Sequence, residues 1–175
     1  MSVPRSIYAL IKGDESGLRP VIAYSYDREK ILPYRYQVYL DNEESTWTSA
    51  PSHQSAVYSL TFEKEGPAYL VFNSRNGQLQ VNGNSVSGYQ YIDKKNEKSF
   101  LYAETNQKPV KAGVLSNGSV NYNETSVEGT NAAIALSFGG GREETWRSLR
   151  YLFLSARNRR RRIWSVRSPL TTWMW

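Results

Sequence analysis

Tyr34-Arg35-Tyr36-Gln37-Val38-Tyr39-Leu40 puts a bulky apolar or aromatic group at every second position. That is the period of an extended chain, whose side chains point alternately to the two faces of a sheet. Ala56-Val57-Tyr58-Ser59-Leu60-Thr61-Phe62 and Ser87-Gly88-Tyr89-Gln90-Tyr91-Ile92 repeat the pattern. Working outward, further strand-like segments run over 7–12, 20–27, 68–73, 77–81, 99–104, 109–115, 119–122 and 132–138. Between them fall Gly13-Asp14, Gly66-Pro67, Asn76-Gly77, Asn82-Gly83 and Asn117-Gly118, residue pairs that reach positive φ cheaply and close tight hairpins. No stretch before Gly139 carries a long helical stripe, so a parallel sheet would lack its crossover helices. The expected body is therefore all-β: an antiparallel β-sandwich or barrel, jelly-roll-like, over residues 1–138.

Composition narrows the chemistry. The chain has 175 residues, 39% of them hydrophobic and 22% charged, values of one ordinary globular domain. Its apolar runs are too short to cross a bilayer as a helix. Cysteine is absent and His53 is the single histidine, which excludes thiolate sites and multi-histidine metal cages. No cofactor or metal is expected. The start, Met1-Ser2-Val3-Pro4, lacks the apolar core of a secretory leader, so the expected location is cytoplasmic or nuclear.

Charge is divided along the chain. Residues 1–141 hold 13 Lys and Arg against 14 Asp and Glu, whereas residues 142–175 hold 9 Arg against Glu143 and Glu144. A basic arm on a neutral body is the pattern of a partner that is polyanionic. Gly139-Gly140-Gly141, at the composition break, reads as a hinge between the β domain and a basic, Trp-rich tail over 142–175. In that tail Trp146, Leu149, Phe153 and Ala156 recur at helical spacing, which predicts an arginine-rich α-helix over 143–162. Arg147, Arg150 and Arg157 lie off its apolar stripe, and Arg159, Arg160, Arg161 and Arg162 crowd its end, beyond what any core could hold.

Ala156-Arg157-Asn158-Arg159-Arg160-Arg161-Arg162, followed by Trp164, resembles the arginine-rich RNA-binding helix of the lentiviral Rev proteins. The resemblance implies Asn158 as base reader and Arg157, Arg159, Arg160, Arg161 and Arg162 as a phosphate clamp. Outside the resembling stretch, Arg147, Arg150 and Arg167 are expected to add nucleic-acid-binding charge. The leading expectation is a non-enzymatic RNA-binding protein, such as a small viral coat or regulatory protein, whose partner is RNA or another polyanion. The apolar last residues with Trp173 and Trp175 need a cover: they would fold back onto the sheet, or serve a homo-oligomer contact or, less favoured, an anionic membrane through an Arg/Trp tail.

A second reading belongs to the body. Val71-Phe72-Asn73-Ser74-Arg75 resembles a strand motif of fungal galectins, in which an Asn and nearby polar groups bind sugar hydroxyls under a tryptophan. The resemblance implies Asn73 and Arg75 as the polar groups. No Trp follows them within the expected loop, and Trp47 with the exposed tyrosines is a separate candidate for the planar aromatic. A carbohydrate-binding, lectin-like β-sandwich is thus the alternative, since sugar recognition needs a planar aromatic and a few polar groups. Most of the 13 tyrosines are expected to serve half-buried strand surfaces. No catalytic residue is expected. His53 with Ser52 and Ser55 reads as a polar loop, Glu43-Glu44 as a turn, and Asn117-Gly118-Ser119 and Asn123-Glu124-Thr125 as turns that happen to match the glycosylation pattern.

Overall fold

The computed structural model describes residues 8–12, 18, 25–42, 44–52, 55–63, 66–91, 98–139 and 146–155, with backbone alone over 8–12 and 146–155. Among these residues lie fourteen strands in two antiparallel sheets. The strands are β1 (Tyr8–Lys12), β2 (Tyr26–Leu32), β3 (Arg35–Leu40), β4 (Ser45–Pro51), β5 (Ser55–Phe62), β6 (Ala68–Ser74), β7 (Gly77–Asn82), β8 (Ser85–Tyr91), β9 (Lys98–Thr105), β10 (Lys111–Ser116), β11 (Ser119–Asn121), β12 (Ser126–Gly129), β13 (Ala132–Phe138) and β14 (Trp146–Ser155). One sheet has the order β1-β6-β13-β10-β11, the other β12-β7-β8-β9-β14-β5-β4-β3-β2.

The core lies between the sheets because each strand turns its apolar set inward. Leu70, Phe72, Ile134, Leu136 and Phe138 of the five-stranded sheet meet Leu60, Leu79, Val81, Val86, Leu101 and Ala103 of the nine-stranded one. Alternation then fixes the outward residues: on β7 Leu79 and Val81 are buried while Gln80 and Asn82 are exposed. The strands β6 and β13 break this rule, being buried at nearly every position. Their other face packs a second cluster of Tyr69, Val71, Ala133 and Ala135 with Leu18 and Leu115, so the run Ala132-Ala133-Ile134-Ala135-Leu136 has no polar face to show.

The turns follow their chemistry. Asn117 and Gly118 both have positive φ, 51° and 81°, and close β10 onto β11 with Ser116 opposite Ser119, as a two-residue hairpin requires. At the β7–β8 hairpin Asn82 stands opposite Ser85, so the central pair is Gly83-Asn84, one residue later than expected, with φ +61° at Gly83. Asn76, at φ 58°, turns a corner between the sheets instead of closing a hairpin: its N–H donates to the Thr130 carbonyl at 3.1 Å and its carbonyl accepts from Tyr91 N–H at 3.0 Å. Of the strand expected over 20–27, residues 20–24 lie outside the described residues, while Tyr26 and Asp27 open β2, which continues to Leu32. It is bulged between Asp27 and Lys30, where Arg28 has φ 52°.

The main correction concerns the chain beyond Gly139. Residues 146–155, expected within a helix over 143–162, form the strand β14, paired antiparallel with β5 on one side and β9 on the other. Trp146, Leu149 and Phe153 have helical spacing, but Leu149, Tyr151 and Phe153 also alternate. The latter set stands opposite Thr105, Ala103 and Leu101, the buried row of β9. Two waiting strand edges satisfy the backbone groups of this segment on both sides, and tertiary pairing decides where local periodicity is ambiguous. These ten residues thus belong to the β domain and not to a separate tail. The remainder of the expected helix, over 143–145 and 156–162, lies outside the described residues.

Candidate functional site

The outer face of the nine-stranded sheet, at β8 and β9, carries a patch of rings. On β9 the smaller pair, Leu101 and Ala103, is buried, which by alternation leaves Phe100 and Tyr102 on the other side. They are 40% and 42% exposed. Register sets their neighbours: Phe100 stands opposite Tyr89, Tyr102 opposite Ser87 and Lys98 opposite Tyr91. Across the next strand pairs Gln78 faces Tyr89, and Glu128 faces Gln78.

The rings interlock edge to face. Tyr89 lies 5.5 Å from Tyr91 at 80° and 6.3 Å from Phe100 at 61°, the tilted geometry that aromatic quadrupoles favour. The Lys98 ammonium sits 3.7 Å above the Tyr89 ring centroid and 5.2 Å from that of Tyr91, a cation–π pair that occupies one Tyr89 face. Two carboxylates tie down the phenols: Tyr89 donates to Glu128 Oε1 at 3.0 Å and Tyr102 to Glu104 Oε2 at 3.3 Å. The Glu128 hydrogen bond, aided by desolvation, holds the Tyr89 hydroxyl above its ordinary pKa. Burial and then the Glu104 charge do the same for Tyr102. Desolvation pulls the Lys98 pKa down, but hydrogen bonds and charge from Tyr91 and Tyr89 outweigh it and leave the group raised. From below, Ser74 Oγ donates to the Tyr89 carbonyl at 3.1 Å, linking the patch to the corner after β6.

The residues singled out from sequence are distributed otherwise. Trp47 lies on β4 and packs against the inter-sheet core, its ring 5.4 Å from Tyr58 at 78°. Asn73 is buried on β6, where alternation with Phe72 turns it to the opposite face of the other sheet. Arg75 is exposed at the end of that strand. These three do not form one platform. Arg147 and Arg150 lie on β14, Arg150 at the register position opposite Glu104 and Val57. Arg157, Asn158, Arg159, Arg160, Arg161, Arg162, Arg167 and His53 lie outside the described residues, as do Trp173 and Trp175. Sequence reasoning passed over Phe100, Tyr102 and Lys98. The signal was the strand 99–104 itself, where large rings alternate with smaller aliphatic groups and only one set can face inward.

The profile of the glycosyl hydrolase family 92 N-terminal domain matches residues 12–147. This chain belongs to that family. Solved structures agree in fold. The family GH92 inverting mannosidase BT2199 from Bacteroides thetaiotaomicron superposes with TM-score 0.72 at 17% identity, over 85% of this chain and 21% of that one. The GH92 α-mannosidase BT3965 from the same organism gives TM-score 0.67 at 15% identity, over 85% and 24%. The GH92 family glycosyl hydrolase ccman5 gives 0.61 at 16%, over 74% and 20%. The chain therefore spans about a fifth of the length of these relatives. No curated protein matches it in sequence.

The family 92 membership overturns the expectation of an RNA-binding, viral coat or regulatory protein. The charge argument behind that expectation assumed a basic helix, and over 146–155 the arginines stand on a strand inside the sheet. The expectation of a protein without enzymatic connection is corrected as well, because the family and its solved members are glycoside hydrolases. Of the sequence readings, the carbohydrate alternative is the closer, though not through Trp47, Asn73 and Arg75 as one platform.

Proposed function

We propose that this family 92 β-sandwich is the N-terminal domain of a glycoside hydrolase that cleaves α-mannosides. The observation that carries the reading is the family match over 12–147 on an antiparallel sandwich superposing on a GH92 inverting mannosidase and a GH92 α-mannosidase. Glycoside hydrolysis generally uses two carboxyl groups flanking the scissile bond, one as acid and one as base or nucleophile. Glu104 and Glu128 each accept a tyrosine hydroxyl and so help to orient the ring surface of this domain. The contribution proposed for the sandwich is to present and position the substrate. An inverting course, the chemistry named for BT2199, would place the two carboxyl groups roughly 6.5–9.5 Å apart with a water between.

The test is mannose release by the natural protein carrying this domain. Incubation with α-linked mannobiose and an aryl α-mannoside should yield free mannose, with β-mannosides and α-glucosides left intact. Release from neither α-mannoside would overturn the proposal.

A further inference from the structure

We infer that the outer face of β8 and β9, centred on the Phe100 and Tyr102 rings, is a glycan-binding platform that holds mannosyl chains. The inference rests on the carbohydrate reading above and adds to it a specific surface and a specific pair of rings. Pyranose rings present a patch of C–H groups framed by hydroxyls, so their binding sites combine an exposed aromatic face with polar groups beside it. This face has that combination. Phe100 and Tyr102 are two residues apart on one strand, which separates them by about 7 Å on the same side, and each is more than a third exposed. The Ser87 hydroxyl stands in register opposite Tyr102, and the Gln78 amide lies one strand further, opposite Tyr89.

The rings are also held in place before any ligand arrives. The Tyr102 hydroxyl is tethered to Glu104, and Phe100 leans on Tyr89, whose own hydroxyl and one face are taken by Glu128 and Lys98. Rings locked by their neighbours lose little conformational freedom on binding, which favours a weakly interacting, neutral ligand. The row from Glu128 through Gln78 and Tyr89 to Phe100 crosses three strand spacings, about 14 Å, the scale of a short oligosaccharide. Charge at the patch is of mixed sign, with Lys98 over the Tyr89 ring, Glu128 and Glu104 on the phenols and Arg150 in register opposite Glu104, so it is not the single-sign field that draws a polyanion. It argues equally for a ligand rich in hydroxyls, because carboxylates accept hydrogen bonds from them.

The experiment is affinity electrophoresis of the 175-residue chain in native gels containing mannan, with dextran gels as control. It is paired with NMR titration of the unaltered chain by α-linked mannotriose. Mannan should retard the chain and dextran should not, and the Phe100 and Tyr102 ring signals should move first. Phe100→Ala and Tyr102→Ala should each weaken retardation about three- to tenfold, Phe100→Tyr should retain it, and Ile31→Ala, on the exposed strand β2, should leave it unchanged. Circular dichroism confirms the fold of each variant, and the ring shifts of the unaltered chain decide the matter should a variant misfold. Equal retardation of the alanine variants, or ring signals that stay put, overturns the platform. Absence of mannan binding alongside mannose release by the natural protein would refute this surface and leave the hydrolase reading standing. Ring-centred binding without mannose release would do the reverse.

Discussion

Gly88 is the position at which a single methyl group tests the architecture beneath the platform. It stands on β8 opposite Leu79 of β7 and Leu101 of β9. A Cβ at this site would come 2.0 Å from the Gln78 carbonyl oxygen and 3.0 Å from Leu79 Cα. Carbon and oxygen rest no closer than about 3.3 Å, so Gly88→Ala must force β7 and β8 apart by roughly 1.3 Å. An inter-strand bond of about 2.9 Å stretched by that much exceeds 4 Å and is lost. Two ladder bonds at about 1 kcal/mol each, plus local strain of about 1 kcal/mol, give a destabilisation of about 3 kcal/mol. For a domain of this size that lowers the urea midpoint by about 1 M. Gly83→Ala provides the contrast: among the described residues nothing lies within 4 Å of its Cβ, but φ is +61°, so the cost is about 1–2 kcal/mol of left-handed backbone strain. Equilibrium urea unfolding followed by far-UV circular dichroism ranks the two. A Gly88→Ala midpoint equal to the unaltered chain, or above that of Gly83→Ala, would refute the close-approach argument.

Three further expectations concern other layers. The Ser45 hydroxyl is buried on β4 and has no hydrogen-bond partner among the described residues, so Ser45→Ala should leave stability unchanged or raise it by about 1 kcal/mol; a clearly lower melting temperature would show that the hydroxyl is satisfied after all. Burial, then the hydrogen bond and charge of Glu29, push the Tyr36 hydroxyl up to about 12. The folded state therefore holds this proton more tightly than the unfolded one: its contribution to stability is complete below about pH 10 and is lost as pH rises towards 12. Phenolate absorbance should show this late titration, and Glu29→Gln should advance it part-way but not fully, because burial is the larger cause. Finally, a chain ending at Gly139 lacks β14 and leaves the edges of β5 and β9 unpaired; it should lose cooperative unfolding, and a sharp transition at the original midpoint would contradict the topology.

Much of the sandwich was legible because period-two patterning is a local property. The strands β3, β5, β8 and β13 follow directly from alternation or from an unbroken apolar run, and the Asn117-Gly118 turn follows from its preference for positive φ. β4 was missed because Ser45-Thr46-Trp47-Thr48-Ser49 carries a single large apolar group, and a serine fills a buried position there. β14 was misread because Leu149 and Phe153 satisfy a helical stripe and a strand face alike, and the choice depends on strands made nearly fifty residues earlier. The site was less legible still. Phe100 and Tyr89 were each placed on a strand, but their adjacency depends on the β8–β9 register. Their exposure depends on which face the second sheet covers. The same holds for the residues of the galectin likeness: Asn73 and Trp47 are assigned to different layers by packing, which a five-residue match does not encode.

The position of β14 has a consequence for how the molecule is born. The meander β2 to β5 and the meander β7 to β9 leave the ribosome first, each ending in an open border, and the seam that joins them is translated last among the described strands. Until residue 155 emerges, the wide sheet is two ribbons competing for any extended segment that passes, with aromatic surface uncovered on both. Closure of the seam is thus the late, long-range step that folding must wait for, and the nascent chain is most in need of a chaperone just before it.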